Sequence, residues 1–181
     1  VRYDGSSMFP DGKKFGFFPS FSAGWRASEE SFFQWAKPAL SDLKIRGSWG
    51  TIGNQDVAAN TFISTMASGT SGWVVNGVNL LRLSAPTVIS SALTWEKVTT
   101  LDLGFDARFF NGDFGVTFDW YQRVTSDMHT AGVTLPSTFG ASVPKINYGE
   151  LTATGWELAL DYSHKFSNGL GLNVRGSISH V

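Results

Sequence analysis

The sequence predicts an all-β fold of antiparallel, up-and-down strands, about six of them. Three observations point there: long runs that alternate apolar and polar residues, tight turn signals between some of those runs, and long polar connections between the others.

The clearest run is Thr99 to Phe109. Leu101, Leu103, Phe105, Ala107 and Phe109 share one face, and Thr100, Asp102, Gly104, Asp106 and Arg108 the other. Asn111-Gly112 follows, the dipeptide suited to a type I′ hairpin turn. The next strand puts Phe114, Val116, Phe118 and Trp120 on one face and Gly115, Thr117, Asp119, Tyr121 and Arg123 on the other. A two-residue turn pairs Phe109 with Phe114, Phe105 with Phe118, Leu103 with Trp120, Asp102 with Tyr121 and Thr100 with Arg123. Apolar residues then meet apolar ones, and a slip by one residue would destroy the match.

A second hairpin follows the same logic. Trp156, Leu158, Leu160, Tyr162, His164 and Phe166 share a face. Ser167-Asn168-Gly169 suits a three-residue loop with Gly169 left-handed. Phe166 then faces Leu170, Tyr162 faces Val174 and Leu158 faces Ile178. On the opposite face Asp161 meets Arg175, an expected cross-strand ion pair.

Two earlier strands are less sharp. Phe15, Phe17, Pro19, Phe21, Ala23 and Trp25 alternate with small or polar residues, with Pro19 weakening the ladder because it lacks a donor. Leu43, Ile45 and Trp49 alternate with Lys44, Arg46 and Ser48. Between them Ser28 is placed to cap a short helix over about residues 28–36, with Glu29-Glu30 at its N-terminus and Pro38 ending it.

Composition bounds the class. Charged residues make up 16% of the chain, against roughly 25% in a typical soluble domain. There are 20 Gly, 7 Trp and 15 Phe, and the net charge is −1. So aromatic a chain with so little charge is not disordered, and it offers nucleic acid no electrostatic attraction. There is no cysteine, which excludes disulfides and thiolate metal sites. No run of about 18 apolar residues exists for a membrane-spanning helix, and no signal peptide is visible.

Alternation alone fits a soluble sandwich or a membrane barrel. Long connections (Thr51 to about Leu93, Thr125 to Asn147) alternate with tight turns, as in barrels with short inner turns and long outer loops. Trp156 and Phe166 lie ten residues apart on one face, as do Phe15 and Trp25, and a tilted strand crosses a bilayer in about 9–11 residues. The barrel reading makes Leu101, Leu103, Phe105, Phe118, Trp120, Trp156, Leu158 and Leu160 lipid-facing. It makes Asp102, Asp106, Arg108, Asp119, Arg123, Asp161 and Arg175 a polar lumen wall. The rival is a soluble β-sandwich that binds glycans through Trp73 or Trp95.

No constellation for catalysis, cofactor or metal emerges. His129, His164 and His180 lack metal-ligand spacing, and His164 is better read as packing at a membrane interface. Asp102 and Asp106 are about 13 Å apart along an extended strand, too far to act on one bond. No phosphate-binding or nucleophile-elbow motif occurs. Of the loop tryptophans, Trp95 reads as a structural anchor at a strand start, and Trp73 as the candidate contact for cargo.

Several segments carry a family resemblance. Arg2-Tyr3-Asp4-Gly5-Ser6-Ser7 is followed by Gly16-Phe17-Phe18-Pro19-Ser20 and Gly24-Trp25-Arg26. Then come Leu43-Lys44-Ile45-Arg46, Ser48-Trp49-Gly50, Gly53-Asn54-Gln55, Leu93-Thr94-Trp95-Glu96-Lys97, Leu103-Gly104-Phe105-Asp106 and Asp119-Trp120-Tyr121. In this order and spacing they resemble the SusC/RagA family of TonB-dependent transporters over almost the whole chain. The resemblance implies a 22-stranded outer-membrane barrel with an internal plug, TonB as its energy source, and a SusD-like surface lipoprotein as a lid. It also implies oligosaccharide or peptide cargo. On this reading residues 1–181 are part of the barrel domain, with plug, signal peptide and C-terminal strands outside them.

Overall fold

The computed structural model describes residues 1–58, 61–134, 136–141 and 143–181. Its main body is one six-stranded antiparallel sheet. The strands are β3 (Ser20–Arg26), β4 (Leu40–Asn54), β7 (Glu96–Phe109), β8 (Phe114–Ala131), β9 (Lys145–Lys165) and β10 (Gly171–His180), hydrogen-bonded in that order. Two small two-stranded sheets accompany it, β1 (Arg2–Gly5) with β2 (Phe15–Phe18), and β5 (Ser68–Val75) with β6 (Val78–Leu83).

Both expected hairpin registers are present. Phe109 faces Phe114, Phe105 faces Phe118, Leu103 faces Trp120 and Asp102 faces Tyr121. Asn111 and Gly112 have φ of 57° and 97°, and the Asp113 amide donates to the Phe110 carbonyl at 3.2 Å. Phe110 is left-handed as well (φ 52°) and Asp113 is helical, so the loop spans the four residues 110–113 and not the expected two, while the register is kept. In the second hairpin Tyr162 faces Val174, Leu158 faces Ile178 and Asp161 faces Arg175. Gly169 is left-handed at φ 86°.

Three details differ from expectation. The run from Phe15 to Trp25 is two strands. Pro19 has no N–H to give a ladder, so the chain changes partner there: β2 pairs with β1 and β3 pairs with β4. Phe15 and Trp25 therefore do not bracket one strand. The helix over 28–36 is replaced by two single 3₁₀ turns, Ala27–Glu29 and Ser31–Phe33. Ser28 caps nothing; it is buried, and its hydroxyl donates to Asp42 Oδ1 at 2.7 Å. A nine-residue segment is too short to hold a helix without packing, and here its packing favours the tighter turns.

The third difference lies in the long connections. The strands overrun their expected ends: β4 reaches Asn54 and β7 begins at Glu96, while β8 reaches Ala131 and β9 begins at Lys145. Residues 59, 60, 135 and 142 in these connections lie outside the described residues. The first connection is not merely polar loop. It contains the β5–β6 hairpin, closed by Asn76-Gly77 with φ of 51° and 78°.

The buried core is not where a sandwich would have it. Among the described residues its one large cluster consists of Phe9, Phe18, Val57, Leu93 and Trp95, with Met8 packed against it. All lie at the end of the sheet that carries the long connections. On the sheet itself Leu103 is 48% exposed, Phe105 37% and Leu160 40%. Among the described residues the sheet is thus a single layer with an uncovered apolar face, where a sandwich would pack a second sheet.

Candidate functional site

The alternation of each strand, carried through five pairings, assembles one polar face. Its centre is a row in which Gly24, Arg46, Gly104, Asp119 and Glu157 are successive partners. Asp102 and Asp106 flank Gly104 on the same face of β7, and Arg46 reaches all three aspartates. Its Nε donates to Asp106 Oδ2 at 3.2 Å and its Nη2 to Asp119 Oδ2 at 2.7 Å. Its Nη1 lies 2.7 Å from Asp119 Oδ1 and 3.9 Å from Asp102 Oδ1. One forked guanidinium thus serves three carboxylates that would otherwise repel one another.

The reach from Arg46 to Asp119 crosses a whole strand, because Gly104 stands between them. A Cβ at residue 104 would collide with Asp119 Oδ1 and come 2.8 Å from the Phe118 carbonyl and 3.1 Å from Arg46 Cζ. The next row of this face but one repeats the device. Arg108, Gly115 and Asp161 are partners in series, and Arg108 Nη1 bonds Asp161 Oδ2 at 2.5 Å across the glycine. A Cβ at residue 115 would meet Arg108 Nη1 at 2.6 Å and collide with Asp161 Oδ1. Gly155 is roofed in the same way by the Tyr121 hydroxyl, 2.6 Å from where a Cβ would stand.

This corrects the expected ion pair. Arg175 does face Asp161 in register, but the Asp161 carboxylate is taken by Arg108 from the other side. Arg175 makes no ion pair among the described residues, and neither does Arg123, which faces Thr100. The remaining polar-face residues, Asp102, Asp106, Arg108, Asp119 and Asp161, are brought together as two bridged groups. Arg46 and the three glycines were not among the expected wall residues. The sequence register placed Arg108 opposite Gly115 and Gly104 opposite Asp119, but the β4–β7 and β8–β9 pairings that complete these rows had no turn signal.

One prediction follows from the glycine windows. Gly115→Leu should overpack the wall and break the Arg108–Asp161 pair, lowering stability by about 1–3 kcal/mol. The pair itself is solvated and supplies only about 0–1 kcal/mol of that. Denaturant unfolding of the intact protein is the check.

The opposite face carries Leu101, Leu103, Phe105, Phe118, Trp120, Trp156, Leu158 and Leu160. Rings are adjacent across it: Phe105 and Phe118 at 5.7 Å between centroids, Phe118 and Trp156 at 6.5 Å. Leu103 lies over Gly47, 3.2 Å from where a Cβ would be.

A family model described as "TonB dependent receptor-like, beta-barrel" matches residues 1–180. The chain belongs to the TonB-dependent receptor β-barrel family. Its resemblance to the SusC/RagA branch is likewise upheld. TonB-dependent receptor P26 of Formosa agariphila is 33% identical over 88% of the chain, and TonB-dependent receptor SusC of Bacteroides thetaiotaomicron 32% over 89%. The chain spans 16% of the length of each. In fold it resembles a RagAB peptide transporter structure (TM-score 0.75, 24% identity) over 97% of this chain and 19% of that one. It also resembles the RagAB peptide importer in an open-open state (TM-score 0.78, 23% identity) over 96% and 18%. Members of this TonB-dependent receptor family are receptors and transporters, not enzymes.

The matched segment Leu93 to Lys97 has a clear structural task in this receptor chain. Leu93 and Trp95 are buried in the core, and the Trp95 indole N–H donates to the Lys14 carbonyl at 3.3 Å. The Asn147 side chain accepts from the Thr94 amide at 2.9 Å and donates to the Thr94 carbonyl at 2.8 Å, imitating a strand partner. Glu96 accepts from the His129 amide and from Asn54 Nδ2. The His129 ring is buried beside Phe9, with Nε2 2.7 Å from the Thr94 carbonyl. Trp95 is therefore an anchor, and no face of it is free for a glycan. Trp73, by contrast, is 79% exposed on β5. His164 pairs with Asp113 (Nδ1 to Oδ2, 2.6 Å) and packs edge-on against Phe166, in keeping with a packing role.

Proposed function

We propose that this sheet is a section of the wall of an outer-membrane nutrient importer in a Gram-negative cell. The observation that carries the reading is the single-layer sheet with one uncovered apolar face and one charged face. In water so large an apolar surface would be an aggregation liability; against lipid tails it is at equilibrium. Leu101, Leu103, Phe105, Phe118, Trp120, Trp156, Leu158 and Leu160 then face the bilayer. Asp102, Asp106, Arg108, Asp119, Arg123, Asp161 and Arg175 line the lumen, with Arg46 binding the first group together.

The long-connection end, residues 55–95 and 132–144, is the outer end on this reading. There Trp73 is placed to meet cargo. The cargo is an oligosaccharide or a peptide, as the SusC/RagA resemblance implies, and the RagAB structures are described as a peptide transporter and importer. A SusD-like lipoprotein would close over the same end, and TonB would act through a plug outside the present residues.

The test is done on the intact receptor. Trp73→Cys should react with a membrane-impermeant maleimide on whole cells; protection there, with labelling only after lysis, would reverse the topology. Trp73→Ala should weaken cargo binding about thirtyfold, the equivalent of the ~2 kcal/mol of a hot-spot aromatic, without lowering the folded yield. Unchanged affinity removes Trp73 from the cargo site.

A further inference from the structure

We propose that the connection between β3 and β4 is a bilayer anchor, seating Phe32 and Trp35 at the headgroup level of the leaflet at the tight-turn end. The proposal rests on the reading of the apolar face as lipid-facing. The other two connections at that end are tight turns, while this one runs over residues 27–39. It is nonetheless firmly built. At its start Ala27 and Ser28 are buried, with Ser28 tied to Asp42. At its finish the Leu40 amide donates to the Ala36 carbonyl at 2.8 Å, and the Phe110 amide of the neighbouring turn to the Ala39 carbonyl at 3.1 Å.

On this fixed frame the large aromatics are left bare. Trp35 is 84% exposed and Phe32 60%. The segment also folds back towards the apolar face. Trp25, on that face, donates its indole N–H to Glu30 Oε1 at 3.0 Å and lies 6.2 Å from the Phe32 ring. Neighbouring exposed rings at the same end are Phe110 and Phe166. Phe166 lies ten residues along one strand from Trp156 of the apolar face, the distance in which a tilted strand crosses the hydrocarbon, and Phe110 sits in the neighbouring turn at the same end. Aromatic rings at that depth favour the boundary between tails and headgroups, and Lys37 follows directly to meet lipid phosphate.

The test uses the full-length receptor, freed of any other cysteine and reconstituted in phosphatidylethanolamine–phosphatidylglycerol vesicles. A nitroxide is attached at Trp35→Cys, with Leu160→Cys and Gln55→Cys as references. Collision with oxygen should exceed collision with a nickel chelate at residue 35, at a shallower depth than at 160, whereas 55 should favour nickel. Nickel accessibility at 35 equal to that at 55, with 160 still in lipid, would overturn the anchor and leave the wall reading intact. Shielding of 35 from both reagents, the sign of a protein partner, would overturn it too. If 160 also lacks oxygen preference, the wall reading fails and the anchor with it. Should Trp35→Cys fail to assemble, Phe32→Cys must give the same oxygen preference, or the proposal falls.

Discussion

Trp95→Ala should destabilise the long-connection end of the sheet by about 3–5 kcal/mol, the usual loss for a fully packed aromatic. Trp95 is 5% exposed, lies 5.1 Å from the Phe9 ring and 5.5 Å from that of Phe18, and its indole N–H holds the Lys14 carbonyl. Three segments far apart in sequence meet on it: residues 8–18, Val57 and the start of β7. Because this cluster is the large buried cluster among the described residues, its loss should free those segments while leaving the inter-strand ladder paired. Limited proteolysis on intact cells should therefore gain cleavage sites in residues 1–18 and 55–95, with the barrel still heat-modifiable on a gel. Trp95→Phe should lose much less. An unaltered cleavage pattern for Trp95→Ala would mean the cluster does not fasten these segments.

The second large effect is expected in the middle of β9. Leu160→Arg should cost about 2–4 kcal/mol, the penalty for an arginine near the midplane of a lipid-facing strand. Leu160 lies between Trp156 and Phe166, the two rings taken to mark the interfaces, and is 40% exposed. Ala159→Arg is the matched control. It points to the charged face, where Thr117 and Ser177 are its partners, and should change stability by less than about 1 kcal/mol because a wet lumen tolerates charge. Refolding into vesicles with denaturant titration measures both. Equal penalties at 159 and 160 would mean that the two faces are not in different solvents.

The hairpins were legible in the sequence because two independent signals agree there. Turn chemistry at Asn111-Gly112 and Ser167-Asn168-Gly169 sets one register, and the alternation of Phe105, Phe118, Leu158 and Ile178 demands the same one. The β8–β9 pairing has no such signal. Its connection passes through residues 132–144, so nothing in the sequence said that Gly115 would stand between Arg108 and Asp161. The Asp161–Arg175 pairing was consequently right in register and wrong as an ion pair. The core at the long-connection end was equally hidden, since Phe9, Val57 and Leu93 come from irregular segments with no periodicity. The helix at 28–36 failed because Ser28, a good cap on local grounds, is claimed by Asp42 fourteen residues on. Pro19 was correctly seen to weaken a strand, and in the fold it ends one.

The central claim is that neighbouring residues of one strand touch different solvents. The most direct measurement is a scan of single spin-labelled cysteines from Trp156 to His164 in the reconstituted receptor, read with lipid-soluble oxygen and a water-soluble nickel chelate. Period-two alternation is predicted, with 156, 158, 160 and 162 in lipid and 157, 159, 161 and 163 in water. A flat profile, or one with both sets shielded from lipid, would contradict it.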